Sequence, residues 1–203
     1  AAEAGARQAQ QERVPMLALS PRKGLPEIGS FVFRKSLTAE AQVDSLLHYA
    51  MRRKGLSRFA ILYPADSMGR EFADLFARQV QAWGGRIVVS HSYRTDSNDF
   101  REPIQRLLGN RSSARAAAFE ALFIPDFGER VGLLVSQLPF YDITGITLLG
   151  INSWHSPDLV TRGGRALEGA VFTDGFFPDG NDPRVRRFVE GFRERFGESP
   201  SIL

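Results

Sequence analysis

The residues of this chain that could do chemistry gather at the joints between apolar runs and helical patterns. Asp66, Ser67 and Met68 follow the run RFAILYP, and His91, Tyr93 and Thr95 close or follow RIVVSH. Asp126 and Phe127 follow ALFIP, and Asn152, Trp154 and His155 follow GITLLG. Such groups suit recognition: a carboxylate takes a donor or cation, an amide hydrogen-bonds a polar group, and aromatics supply apolar walls. A structural reading stands beside each. Asp66 or Ser67 suits a plain helix cap. Asp126 with Glu129 makes a D-x-x-E capping pair. Trp154 suits a loop aromatic packed on its own domain as well as it suits a ligand or partner contact.

Other chemistries find little support. There is no G-x-S-x-G elbow, phosphate loop or H-E-x-x-H pair. RGGRALEG has glycines, but no strand leads into it in the phosphate-loop pattern. Carboxylates are plentiful, yet spacing forces no two together, so neither an activated nucleophile nor an acid–base pair emerges and an enzyme is not expected. His91 and His155 lack a fixed metal-ligand spacing, so no metal or cofactor is expected. The absence of cysteine removes disulfides and thiolates. The 26 basic and 23 acidic residues leave a net charge of +3, spread along the sequence without the basic stripe that nucleic-acid binding needs. No apolar run is long enough to span a bilayer, so this segment is not expected to insert in a membrane.

Something must position the joints, and the elements are readable. A helix is expected over 39–54, capped by Thr38, with Val43, Leu46, Leu47, Ala50 and Met51 buried and Gly55 ending it. Strands are expected at 58–64, 86–91, 121–125 and 145–150. Helices at 68–83, at 99–108 and after Asp126 separate them, with apolar residues such as Phe72, Leu75, Phe76 and Val80 at helical spacing. Strands alternating with helices through short joints predict an α/β unit: a parallel sheet flanked by helices. In such a sheet the carboxyl-end loops gather on one edge, where ligands bind. All the joints above fall on that edge.

The ends fit this unit less neatly. VPMLALS reads as a buried strand after a helix, and GSFVFRKSLT as an extended connector. A last helix is capped by Asp182 with Pro183 at its first position, and Val185, Phe188, Val189, Phe192 and Phe196 form its stripe. The expected organisation is a partial first lobe and crossing at 1–36, a complete second lobe at 37–168, and a return crossing with a first-lobe helix at 169–203. The opening AAEAGARQAQQ reads as the middle of a helix, as if the chain began partway through a longer protein.

The stretch FRKSLTAEAQVDSLLHYAMRRKGLSRFAILYPADSMGREFADLFARQVQAWGGRIVVSHSYRTDSNDFREPIQRL resembles type I periplasmic ligand-binding proteins, which include the branched-chain amino-acid-binding proteins of ABC transporters. The features that carry the resemblance are the FR connector, a strand ending before D-x-x-G, a helix ending in GG, and DF opening the next helix. LEGAVFTDGFFP followed by DPRVRRFVEGFRERFGESPS resembles the return crossing and its helix. The resemblance implies two α/β lobes joined by three crossings, a ligand in the cleft, and no catalysis. Ser67, Met68, Asp126, Phe127, Asn152 and Trp154 would line the second-lobe side, with Ser20, next to Pro21, from the other lobe. Met68 stands where the amino-acid binders often have an aromatic, and Asn152 where they often have an acid for the ammonium. An amide lacks the charge assistance of a carboxylate, so Asp126 would have to substitute.

ALFIPDFGERVGLLVSQLPFYDITGITLLG and NSWHSPDLV look closer to a subset of the family, the penicillin-binding protein activators, which are envelope lipoproteins that bind peptidoglycan synthases. The expectation is therefore a non-enzymatic, extracytoplasmic domain. It binds a small polar, amino-acid-like ligand and serves an ABC permease; in the alternative it regulates a peptidoglycan synthase through protein contact. A hydrolase on a similar sheet is the third and weakest reading.

Overall fold

The computed structural model describes residues 2–20, 24–109 and 119–200. Its core is built on β3 (Arg58–Pro64), in which Phe59, Ala60, Ile61 and Leu62 are all essentially inaccessible. Ala60 and Leu62 join one apolar cluster while Phe59 and Ile61 join another, so the strand is covered on both faces. A strand of a parallel sheet between two helical layers has this character. β3 pairs in parallel with β4 (Arg86–Tyr93) on one side and β5 (Ala121–Phe123) on the other. β6 (Thr147–Gly150) and β7 (Val171–Phe172) complete a five-stranded sheet of order β4-β3-β5-β6-β7.

Two helices cover the face that carries Phe59 and Ile61. α2 (Ala39–Leu47) is capped by Thr38, whose Oγ1 accepts from Ala41 N at 3.2 Å. The expected single helix to residue 54 changes character at His48: over His48–Arg53 the turns widen, and Lys54 N donates five residues back to Tyr49 O. Gly55 then leaves at a φ of +70°, which a side chain would resist. α3 (Ser67–Ala82) buries Phe72, Leu75, Phe76 and Val80, and the Phe76 ring stacks on Phe123 with centroids 4.1 Å apart. On the other face lie α4 (Arg101–Leu108), α5 (Gly128–Gln137) and α6 (Pro157–Gly163). α6 was not expected from periodicity, since seven residues make barely two turns, but Ser156 caps it and Pro157 opens it.

The described chain divides into two compact units, one of residues 38–173 and one of residues 1–37 with 174–203. Val171 and Phe172, read from the sequence as part of an extended crossing, hydrogen-bond to β6 as the last strand of the larger unit. In the smaller unit, α1 (Ala2–Glu12) packs on a two-stranded parallel sheet of β1 (Met16–Ala18) and β2 (Val32–Arg34). The run VPMLALS is not the buried strand its composition suggests. Ala18 is buried under α1, but Leu17 and Leu19 are about 60% exposed, because the sheet is covered on one face. α7 (Pro183–Phe196) has the expected Asp182 cap, with Oδ1 accepting from Arg184 N at 2.8 Å. Of its apolar stripe only Val189 is buried.

Candidate functional site

The strand order places β3 and β5 side by side, with β4 beyond β3 and β6 and β7 beyond β5. Counted within the unit this is 2-1-3-4-5, the doubly wound order whose reversal point lies between the first and third strands. The loops after β3 and β5 leave that point in opposite directions, and the crevice between them is where ligands bind in such sheets. Asp66, Ser67 and Met68 lie on one side of it, Asp126 and Phe127 on the other, and Asn152 lies beyond, after β6.

Asp66 caps α3: its Oδ1 accepts from Gly69 N at 2.7 Å. Ser67 is thereby left exposed at the first helical position, and Met68 packs half-buried against the α2–α3 cluster. The joint YPADSMG thus has a structural task in Asp66 and Gly69, and leaves Ser67 open. Ala65 N donates to Tyr93 O at 2.8 Å, which ties the β3 and β4 ends together.

Asp126 does not cap α5. The N-cap position belongs to Phe127, with no side-chain cap bond, and Glu129 lies 3.5 Å from Arg162 instead. The Asp126 side chain is wholly buried. One oxygen accepts from Phe127 N at 2.7 Å, and the other accepts from the Tyr93 hydroxyl at 2.5 Å and lies 2.8 Å from Arg130 Nε. That Nε–H makes no directed hydrogen bond, so this pair is held by charge; the Arg130 guanidinium donates to Thr95 O through its Nη1. Burial pushes the Asp126 carboxyl above its ordinary range, against the Tyr93 hydroxyl, the Phe127 N–H and Arg130, which all favour its charged form. Burial likewise holds the Tyr93 phenol well above its ordinary value, and the Asp126 charge adds to the effect. As placed, Asp126 is a strut between the β4 and β5 ends rather than an acid open to a ligand cation.

Trp154 is also structural. It is 1% exposed, and its indole N–H donates to Ile124 O at 3.0 Å. A Cβ at Gly150 would lie 2.1 Å from its ring, so the glycine makes room for it. Trp154 therefore supplies no apolar wall to the rim of this unit; Phe127, 55% exposed, does offer one. Asn152 has an exposed side chain, while its backbone N donates to Gln42 Oε1 at 2.9 Å. Ser153 Oγ donates to Asp126 O at 2.7 Å. Ser20 belongs to the smaller unit, where its carbonyl accepts from Ser36 Oγ at 3.1 Å; Pro21 lies outside the described residues.

Sequence reasoning passed over two members of this arrangement. Gln42 is 3% exposed and also accepts from Thr173 Oγ1 at 3.1 Å, binding α2 to the β6 and β7 ends. Its signal was available, since it stands four residues before Leu46 on the buried stripe. Arg130 had its own, standing four residues after Asp126. Beside the crevice, at the β4–α4 corner, lies an open cavity of about 660 Å³. Its Arg94 and Arg101 pair with Asp96 and Asp99, each at 2.7 Å, and so present little unsatisfied charge. Among the described residues no three His, Cys, Asp or Glu side chains gather as a metal site, and no helix is long and apolar enough to cross a membrane.

Known structures share this architecture. A branched-chain amino acid ABC transporter protein of Rhodospirillum rubrum, described as putative, superposes with a TM-score of 0.81 at 21% identity, over 98% of this chain and 55% of its own. A leucine-binding protein of Thermotoga maritima gives 0.71 at 22% identity, with the same coverage. An ABC transporter substrate-binding protein of Desulfitobacterium hafniense, in complex with Leu, gives 0.69 at 24% identity, over 98% of this chain and 56% of its own. The chain thus spans a little over half the length of these proteins. A search of curated proteins finds no significant match. The sequence pattern of the family described as "Periplasmic binding protein" matches residues 1–203, and with the parallel α/β sheet beneath it this places the chain in the periplasmic binding protein family, with its type I fold.

Proposed function

We propose that residues 38–173 form one ligand-binding lobe of an extracytoplasmic solute-binding protein of the kind that feeds an ABC permease. The observation that carries this reading is the arrangement at the strand reversal point, where Ser67, Phe127 and Asn152 stand exposed on three neighbouring carboxyl-end loops above a braced, buried floor. Tyr93, Asp126, Gln42 and Trp154 form the bracing, and preorganised loops lose less entropy on binding. Met68 contributes from the edge of the core. With Asp126 inaccessible and Asn152 neutral, the ligand is a small polar solute held by hydrogen bonds and an apolar wall. An amino acid whose ammonium needs a carboxylate here is the less favoured member of that class.

The test is the thermal midpoint of the full-length protein against amino acids, small amides, aromatic acids and sugars. A ligand at one hundred times its dissociation constant adds about 2.7 kcal/mol to the native state. A midpoint rise that Asn152→Ala abolishes supports the reading. A flat panel overturns it. One observation favours a second reading, the synthase regulator: Phe140 of the PFYD turn is 84% exposed, and an exposed aromatic suits a protein contact. Capture of a peptidoglycan synthase, lost in Phe140→Ser, together with a flat panel, would select it.

A further inference from the structure

The opposite end of the larger unit has a character of its own. Arg58 and Arg86 open β3 and β4 and are direct partners in the parallel register. The widened helical segment after α2 ends there with Arg52, Arg53 and Lys54, and α3 ends there at Trp83. All five cationic residues are exposed. Arg52 lies over the Trp83 ring at 5.6 Å, and His48 meets that ring edge-on at 6.4 Å. The one carboxylate in this cluster is Glu120, 3.3 Å from Arg58. Among the described residues Arg52, Arg53, Lys54 and Arg86 have no carboxylate partner. Asp44, the nearest acid along α2, lies about 12 Å back from Arg52, and Asp142 and Glu168 precede the distant strands β6 and β7.

Five cations against one carboxylate exceed the net charge of +3 on the entire chain, so the rest of the molecule is nearly neutral and slightly acidic. Charges that look dispersed in sequence are concentrated by the fold. Cations at helix C-termini complement the helix dipole, which accounts for Arg52, Arg53 and Lys54, but not for Arg86 placed beside Arg58. Adjacent like charges repel, and an external anion would relieve that.

We propose that this end is a docking surface for an anionic phospholipid membrane. Four of the five cations, Arg52, Arg53, Lys54 and Arg86, are long and have no carboxylate partner among the described residues, and only Arg58 is held, by Glu120; such a loose set suits a fluid array of phosphates better than a shaped acidic protein face. Clusters of this size bind anionic headgroups by summed attraction. Trp83, half-buried and flanked by a cation, has the amphipathic ring that settles at the headgroup level. The surface is separated from the strand reversal point by the length of β3, about 20 Å, so a docked molecule keeps its ligand edge free.

The experiment is sedimentation of the full chain with vesicles of phosphatidylcholine, alone or with one third phosphatidylglycerol. Binding is expected only to the anionic vesicles, falling as salt rises to physiological strength. The triple variant Arg52→Ala, Arg53→Ala, Lys54→Ala should lower the partition coefficient on the order of a hundredfold. Brominated phosphatidylglycerol should quench tryptophan emission in the native chain but not in Trp83→Phe. An unchanged far-UV spectrum and melting curve would show that the variants fold. Equal binding to both vesicle types, no binding, or full binding by the triple variant would overturn the proposal. So would capture on immobilised polyglutamate without vesicle binding, which would indicate an acidic protein partner.

Discussion

A carboxyl with no exposure, two good donors and a cation beside it is still raised rather than lowered in pKa. Desolvation therefore outweighs the summed hydrogen bonds and charge at Asp126. The sign of the pH effect follows. The native state holds this proton above the ordinary carboxylate range while the unfolded state releases it, so this residue's contribution to stability is greatest in acid and declines as pH rises from the ordinary range toward the native value. Asp126→Asn keeps the shape and an oxygen for the Tyr93 hydroxyl but removes the titration. Urea unfolding across pH 4 to 7 should show the native chain losing stability relative to the variant as pH rises; parallel curves would remove Asp126 as the cause. Tyr93→Phe is the complementary change. It leaves a buried carboxylate short of one donor and should cost about 1–3 kcal/mol near neutrality, read from the same unfolding curves.

The elements carry a different lesson, visible at Gly69. Alanine in place of a helical glycine ordinarily gains up to about 1 kcal/mol. Here the added Cβ would lie 2.2 Å from the carbonyl oxygen of Pro64, which is backbone and cannot swing aside. The clash wins, and Gly69→Ala should destabilise by about 1–3 kcal/mol, measured by urea unfolding; a gain in stability would mean that the β3–α3 joint is looser than its geometry shows. This joint was legible in sequence, because a strand stop, a cap and a glycine three residues on are local signals. The buried stripes of α2 and α3 were legible for the same reason: spacing along one helix reports its own inner face. The D-x-x-E pair at Asp126 misled because a capping box and a buried strut have the same local sequence. What separates them is Tyr93, 33 residues away on a strand two places across the sheet. For Trp154 the sequence left packing and ligand contact both open, since the space it fills is made by Gly150 and its indole partner is the carbonyl of Ile124, just past the end of the neighbouring strand.

Across the whole molecule the two units differ in what holds them. The larger unit has two extensive apolar clusters, one on each face of a five-stranded sheet, and its central strands are buried on both sides. Among the described residues the smaller has one cluster with four buried members, Ala6, Ala18, Leu25 and Val32, on a two-stranded sheet whose other face exposes Leu17 and Phe33. Two strands are marginal on their own in water, and opening free energy follows the local density of buried contacts. The units should therefore open separately in hydrogen exchange. Amides of β3 and β5 should be protected to the level of global unfolding, whereas those of β1, β2 and α7 should exchange faster by orders of magnitude. Mass spectrometry of peptic fragments reads both at once, and equal protection would refute the separation. A ligand seated on the 38–173 rim should slow exchange in the loops at Ser67, Phe127 and Asn152, because binding only the native state raises the cost of opening it. Unchanged exchange in those three loops at saturating ligand would place the ligand elsewhere than on this rim.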